Sequence, residues 1–409
     1  MHSASPFVII FIAPTSILKE KYMHTKFKLL PSMTTIAVAL ITASGNNSAQ
    51  EQSTQLVKIG HVGPLTGPVA HMGKDNENGA RMAIEELNAK GIFLAGQKIQ
   101  FSLQSEDDGS DPKMATSAAQ KLVDAKVKAV IGHLQSGTSI PASKIYYDAG
   151  IPQISPSATS RKYTQQGFNT TFRVVANDGQ LGGMLGRYAA KNLHAKNVAV
   201  IDDRTAYGQG LADEFIKSAK AAGLTIVTTQ YISDKTTDFN AILTTIKSKK
   251  PDLIFFGGID ASAGPMLHQM QLLGMTSPLM GGDAICTNQL PLLAGASLRD
   301  DQVICAEAGG VEKSGQKKLD AFKAAYKQRY NNEIKQYAPY TYDAVMTIAD
   351  AMQKANSADP KKYLPQLAKI HHKGVTGEIA FDANGDIKDG ALTVYTFRNG
   401  QRTVVMVTK

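Results

Sequence analysis

Residues 129–149 read AVIGHLQSGTSIPASKIYYDA. The first four residues form a short apolar run with no polar alternation, the pattern of a strand buried on both faces of a parallel sheet. Ser136, Gly137, Thr138 and Ser139 follow as a loop, and the spacing predicts a helix over 140–149 with Pro141 in its first turn. The unit is strand, polar loop, helix. Working outward, further β-rich runs fall at 56–62, 98–105, 198–201, 225–232, 253–256 and 303–306. Helical registers lie between them, such as Ala80, Ala83, Ile84 and Leu87 on one face, or Leu211, Phe215, Ile216 and Ala219 on another. Repetition of this unit implies an α/β fold with parallel sheets covered by helices on both sides.

The pattern occurs twice. One run of units ends near Val175, and a second begins with a helix over 178–192 and a strand from Asn197. Each is a doubly wound half, and such sheets take ligands outside the carboxyl ends of their strands, so two facing halves imply a cleft. After Glu307 come helices over 317–331, 339–354 and 361–369, then a β-rich tail at 392–397 and 403–407 with hairpin-like turns at 382–385 and 398–400. No low-complexity linker separates the halves, which points to a hinge crossed more than once. The expected limits are 50–176 plus 306–386 for lobe 1, and 177–305 plus 387–409 for lobe 2.

The chain has 409 residues, too many for one ordinary core, which stops growing at roughly 250–300 residues. Its net charge is +9, but Lys19, Lys21, Lys26 and Lys28 face only Glu20 in the first 49 residues. Elsewhere Lys and Arg alternate with acids, as in Lys121, Asp124 and Lys126, and no basic cluster interleaved with aromatics appears. That composition describes a solvated surface, with no nucleic acid as partner. From Met23 a basic stretch, MHTKFKLL, precedes the apolar PSMTTIAVALITAS and the small-residue exit near Ser48 and Ala49, the pattern of a secretory signal peptide over 23–49. Residues 1–22 read as an over-long start. The apolar stretch is too short for a membrane span of about 20 residues. Export to the periplasm would permit a disulfide, and Cys286 and Cys305 are the two cysteines available.

Six segments in order resemble the periplasmic branched-chain amino-acid binding proteins, the type I binding proteins of ABC transporters. They are GHVGPLTGPVAHM (60–72), VIGHLQSGTSIPAS (130–143), ISPSAT (154–159), AYGQGLA (206–212), GGD (281–283) and YTYDA (340–344). The resemblance implies a small-molecule amino acid ligand, an inner-membrane ABC permease as partner, no cofactor, no metal, no catalysis and a monomer. It also implies site residues. Ser136 would give the principal hydroxyl to the ligand carboxylate. The carbonyl at Ser157 and the hydroxyl of Thr159 would hold the two charged groups, beside Ala158 and Leu134. Tyr207 would cover the ligand from lobe 2, and Asp283, where the nearest family pattern has Glu, would oppose its ammonium. Met72 and Ile259 stand where tyrosines are common, and Tyr337 would add an apolar contact. The family's own first-lobe disulfide is absent, because the corresponding stretches read Asp107-Asp108 and Leu134-Gln135; a Cys286 to Cys305 bridge would be a different one.

The residues themselves agree with such a ligand. A zwitterion needs donors for its carboxylate, which a helix N-terminus rich in hydroxyls supplies, and an acid for its ammonium. Other readings fit less well. Gly67 and Gly73 are one residue too far apart for a P-loop, and Gly208-Gln209-Gly210 is followed by Asp213 rather than a third Gly. His133 ends an apolar strand and reads as a packed, hydrogen-bonded residue. Glu106, Asp107, Asp108 and Asp111 read as structural acceptors rather than a cation loop. A sugar-responsive repressor would need a DNA-binding helix pair where the leader stands. An extracytoplasmic sensor for an amino acid or amide is the alternative from another class.

Overall fold

The structure is a computed structural model that describes residues 54–311 and 315–408; the expected leader lies outside them. Its first half alternates β1 (Thr54–Gly63), α1 (Ala70–Lys90), β2 (Phe93–Leu94), β3 (Gln97–Asp107), α2 (Pro112–Asp124), β4 (Ala129–Gly132), α3 (Ser136–Asp148), β5 (Gln153–Ser155) and β6 (Thr171–Arg173). These strands make one six-stranded sheet in the order β2-β3-β1-β4-β5-β6, parallel except for the small β2 edge. The second half runs α4 (Asp178–Lys191), β7 (Asn197–Asp202), α5 (Ala206–Ala221), β8 (Thr225–Tyr231), α6 (Asn240–Ser248), β9 (Leu253–Gly257), α7 (Asp260–Leu272), β10 (Leu279–Gly281), α8 (Leu290–Ala294) and β11 (Val303–Glu307). Then come α9 (Gln316–Tyr330), α10 (Ala338–Lys354), α11 (Pro360–Leu367), the short β12 (His372–Lys373) and β13 (Glu378–Ile379), and a closing hairpin of β14 (Leu392–Arg398) and β15 (Gln401–Thr408).

The second sheet has seven strands in the order β15-β14-β11-β10-β9-β7-β8. Its five inner and far strands are parallel, and the closing hairpin adds two antiparallel ones beside β11. The α/β class with two parallel-dominated lobes is therefore the architecture found. The chain leaves one sheet for the other at 174–177, again after β11 ends at Glu307, and once more at 387–391, with α1 and α10 packed together against the first sheet.

Buried apolar residues explain the layers. Val57, Ile59, Ala80, Ala83, Ile84 and Leu87 bury α1 against the first sheet, and Ala344, Val345 and Ile348 bury α10 beside it. In the second lobe the rings of Phe215 on α5 and Phe255 on β9 stack at 3.8 Å between centroids. The apolar cluster of the first sheet continues through Met72, Leu134 and Tyr337 to Tyr207 and Leu211, so the two lobes are in contact.

The structure differs from expectation at two helix starts. α3 begins at Ser136 rather than at Ile140, so Pro141 sits inside it instead of in its first turn. α1 begins at Ala70, nine residues ahead of Gly79. The polar run Lys74 to Asn78 lies ahead of the apolar register Ala80, Ala83, Ile84 and Leu87, yet Asp75, Asn76 and Glu77 are buried. Gly73 and Gly79 explain this, because added side chains would strike the backbones of Pro64 and Ala338; glycine lets α1 lie directly on both.

Candidate functional site

The strand ends of the two sheets face each other, and each contributes one kind of group. On the first lobe, β4 ends and α3 starts at Ser136 with no side-chain cap, since Gln135 is extended and makes no capping bond. The N-H groups of its first turn, Ser136 and Gly137, have no acceptor within the helix. Thr138 and Ser139 turn their hydroxyls back to the carbonyls of Gln135 (3.0 Å) and His133 (3.2 Å). Ser136 differs: its Oγ accepts the N-H of Ser160 at 3.1 Å, which ties the helix tip to the loop after β5.

That loop is shaped from behind by Arg173. Its guanidinium, fully buried, donates to the carbonyls of Ala158 (2.5 Å) and Ser160 (2.8 Å), to Thr164 Oγ1 (2.8 Å) and, through Nε, to Asp386 (2.6 Å). Such a charge is tolerated inside because each of its three nitrogens has a partner and one of those partners is a carboxylate. Other groups of the loop also have internal partners. The hydroxyl of Ser157 is turned inward, donating to the Leu134 carbonyl at 2.8 Å. Ala158 has both backbone groups engaged, its carbonyl by Arg173 and its N-H by the Ser155 hydroxyl at 2.8 Å. Thr159 Oγ1 is buried beside the Asp178 carboxylate without a regular hydrogen bond.

The second lobe supplies acids. Asp283 opens the 3-10 turn Asp283–Ile285 after β10, and its carboxylate accepts the hydroxyls of Tyr207 and Tyr337, each at 2.8 Å. Gly282 makes this possible, because a side chain there would collide with the Tyr207 hydroxyl and Leu211. Tyr337 is thus not only the apolar contact expected of it: it donates a hydrogen bond across the lobes. Gln336 adds another, from Nε2 to the Asp283 carbonyl at 2.8 Å. Met72 and Leu134 are buried in the same apolar cluster as Tyr207 and Tyr337, and Ile259, half-buried, packs against that cluster and precedes α7. Next to each of the first and last lies a cross-lobe pair: His71 Nε2 is 3.1 Å from Asp260 Oδ2, which also accepts the Thr287 hydroxyl at 2.5 Å.

Asp178 was not foreseen. It is the first residue of α4, its two carboxylate oxygens are buried without a hydrogen-bond partner of regular geometry, and Asp283 lies near enough to repel it. A β-carbon at Gly210 would come within 3.1 Å of its Oδ2 and 3.5 Å of the Ser160 hydroxyl, so the start of α5 closes over it. Burial pushes the Asp178 carboxyl up to about 8, with Thr159 pulling down and Asp283 pushing further up. Burial likewise pushes Asp283 up to about 6, moderated by the two tyrosine hydroxyls. Those hydroxyls are held well above the usual tyrosine range by burial and the Asp283 charge, so they remain donors. The arrangement presents donors for an anionic group on one wall and two acids short of positive charge on the other.

Comparison with known proteins now places the chain. A family model described as periplasmic binding protein matches residues 56–402. The chain belongs to the periplasmic binding protein family. A leucine-, isoleucine-, valine-, threonine- and alanine-binding protein of Pseudomonas aeruginosa is 32% identical over 359 residues, covering 88% of this chain and 94% of that protein. Among solved structures, the leucine binding protein LivK of Thermotoga maritima superposes with TM-score 0.78 at 27% identity, covering 86% of this chain and 98% of the other. The branched-chain amino acid transporter substrate binding protein LivJ of Streptococcus pneumoniae, solved with isoleucine, gives 0.76 at 29% identity over 86% and 99%. Membership in a family of periplasmic binding proteins sets this chain outside the cytoplasm.

Elsewhere in this periplasmic binding protein, the remaining polar motifs have structural partners. His133 lies between Asp108 (2.9 Å) and the Tyr146 hydroxyl (3.1 Å), all buried. Asp107 accepts from Leu65, Thr66 and Gly109, and Asp111 caps α2. Among the described residues no group of three or more His, Cys, Asp or Glu side chains could hold a metal ion. Cys286 and Cys305 form a disulfide that fastens the turn carrying Asp283 to β11. What sequence reasoning missed had ordinary disguises. Asp178 looks like any acid in a first helical turn, next to the Asn177 and Gln180 capping box. Arg173 is one cation in a three-residue strand.

Proposed function

We propose that this chain is the substrate-binding component of an ABC transporter, capturing a small, mainly apolar amino acid and presenting it to an inner-membrane permease. The observation that carries this is the pairing of opposite chemistry across the lobes: the open helix tip at Ser136 against the buried acids Asp178 and Asp283. An amino acid supplies both complements, its carboxylate to the Ser136 and Gly137 N-H groups and Ser136 Oγ, its ammonium to Thr159, Asp178 and Asp283. Met72, Ile259 and Leu134 form the apolar wall for the side chain, with Tyr207 covering from lobe 2. The named ligands of the relatives support an aliphatic side chain.

Binding proceeds by hinge closure. Lobe 1, residues 50–176 plus 308–386, takes the ligand first, and lobe 2, residues 177–307 plus 387–409, swings over it; the sheet membership of the strands supports these limits and moves the second crossing from the expected 305/306 to after Glu307, the end of β11. Closure removes water and strengthens each charged hydrogen bond to about 1.5–3 kcal/mol. The protein works in the periplasm as a monomer after loss of the segment 23–49, and it turns over no substrate. Titration calorimetry against the twenty L-amino acids tests the reading. Submicromolar to micromolar binding of leucine, isoleucine or valine is expected; silence across the panel, with binding of an uncharged amide instead, would overturn it.

A further inference from the structure

The acid Asp75 stands apart from the ligand wall, yet it is the most heavily bonded carboxylate described. It lies on α1, almost fully buried. Its Oδ1 accepts the Tyr326 hydroxyl (2.9 Å) and the N-H of Lys335 (3.0 Å), and its Oδ2 accepts the N-H groups of Gln336 (3.0 Å), Tyr337 (2.8 Å) and Ala338 (2.9 Å). The four N-H groups belong to the segment 335–338 that leads into α10, a helix whose own N-terminus has no side-chain cap. A carboxylate from another helix does the capping, and Gly79 lets the two backbones meet.

The residues so held are the ones that reach across the cleft. Gln336 donates to the Asp283 carbonyl and Tyr337 to the Asp283 carboxylate. The path therefore runs from α1 through Asp75 to the backbone of 335–338, and from its side chains to the acid of the other lobe. We infer that Asp75 is a positioning residue for ligand capture: it fixes the 335–338 segment so that Gln336 and Tyr337 can grip Asp283 in the closed form. This deepens the function proposed above and rests on it. An acid is suited to this work where an amide is not, because five donors converge on it and Asn would turn an N-H toward some of them. Loss of the anchor leaves Asp283 its charge but removes the aim of its partners.

The test is a double-mutant cycle of Asp75→Asn with Tyr337→Phe, read by stopped-flow and calorimetry with whichever of the twenty L-amino acids binds the wild type most tightly. Each single change is expected to weaken binding by about 10-fold or more through faster release, with association changed by less than about 3-fold. The double variant should bind no more weakly than the worse single one, and Asp75→Glu should recover part of the loss. A merely structural Asp75 would instead lower thermal stability while the two losses in affinity multiply, and that result overturns the inference. Should Asp75→Asn not fold, Tyr326→Phe, which removes one donor from the same carboxylate, replaces it in the cycle with the same criterion. If the wild type binds no amino acid, the functional reading falls and takes this inference with it; multiplicative losses in a protein that does bind refute only the role of Asp75.

Discussion

On the proposed function, Asp283 concentrates the energetics of the site in one side chain. It is buried, it meets two tyrosine hydroxyls, and its carboxyl is pushed up to about 6. An ammonium bound there without its acid would be an unpaired buried charge, at a cost of about 3–5 kcal/mol. Asp283→Asn should therefore weaken amino-acid binding by more than about 100-fold with the fold retained, as calorimetry and circular dichroism can establish. The pH dependence follows from the same groups. An ammonium ligand needs both acids ionised, and Asp178 at about 8 with Asp283 at about 6 are partly protonated near neutrality. Binding at pH 7 should release protons, visible as a dependence of the heat on buffer ionisation enthalpy, and affinity should fall steadily below pH 6. Stability has the opposite sign here. Both carboxyls are raised above the ordinary value, so their contribution to folding is complete at low pH and is lost as pH rises through 6 and 8. His61 acts against them: burial lowers it to about 4, so its contribution is present above its ordinary 6.5 and disappears as pH falls through 4. Ligand-free protein should consequently melt highest at intermediate, mildly acidic pH, and His61→Gln should flatten the acid limb.

At the scale of elements, the Cys286 to Cys305 disulfide braces the turn that carries Asp283 against β11. Closing a loop of this length restricts the unfolded chain by about 3 kcal/mol, so a double Cys→Ser variant should melt several degrees lower. It should also bind more weakly, because the 3-10 turn ends at Cys286 itself. If only the melting temperature moves, the brace serves stability alone. These elements also show what the sequence could reveal. β4, β7 and β9 carry apolar runs of four or five residues whose burial follows from composition, and their ends, like those of the more mixed β1, are readable within two residues. Ser136 could be read from its place between a buried strand and a helix, whereas Thr159, Tyr207 and Asp283 could be named only through the family resemblance of the segments that carry them. Asp75, Asp178 and Arg173 could not, since what singles them out is a partner more than two hundred residues away or a burial that local pattern does not encode. The first turns of α1 were hidden for the same reason: a polar run becomes helix interior only when α10 lies on it.

For the whole molecule the question is which contacts hold the lobes shut. Two kinds cross between them. Arg161 meets Glu214 at 3.0 Å, but both side chains are partly exposed, and such a pair contributes at most about 1 kcal/mol and is screened by salt. The Asp283 contacts with Tyr337 and Gln336 are buried, and a buried hydrogen bond to a charged group such as that from Tyr337 is worth about 1.5–3 kcal/mol. His71 with Asp260 falls between, one partner buried and the other near the surface. If the interior contacts dominate, release of ligand should depend little on the rim. Glu214→Gln should speed dissociation by less than about 5-fold, and raising sodium chloride from about 0.05 to 0.5 M should change the rate by a similarly small factor. Tyr337→Phe should exceed both. A steep salt dependence with an indifferent Tyr337→Phe would mean that the rim is the clasp. On the proposed function this arrangement has a consequence for transport: opening the lobes must pull Gln336 and Tyr337 away from Asp283, so the force from a permease must reach the segment before α10 as well as the charged edge.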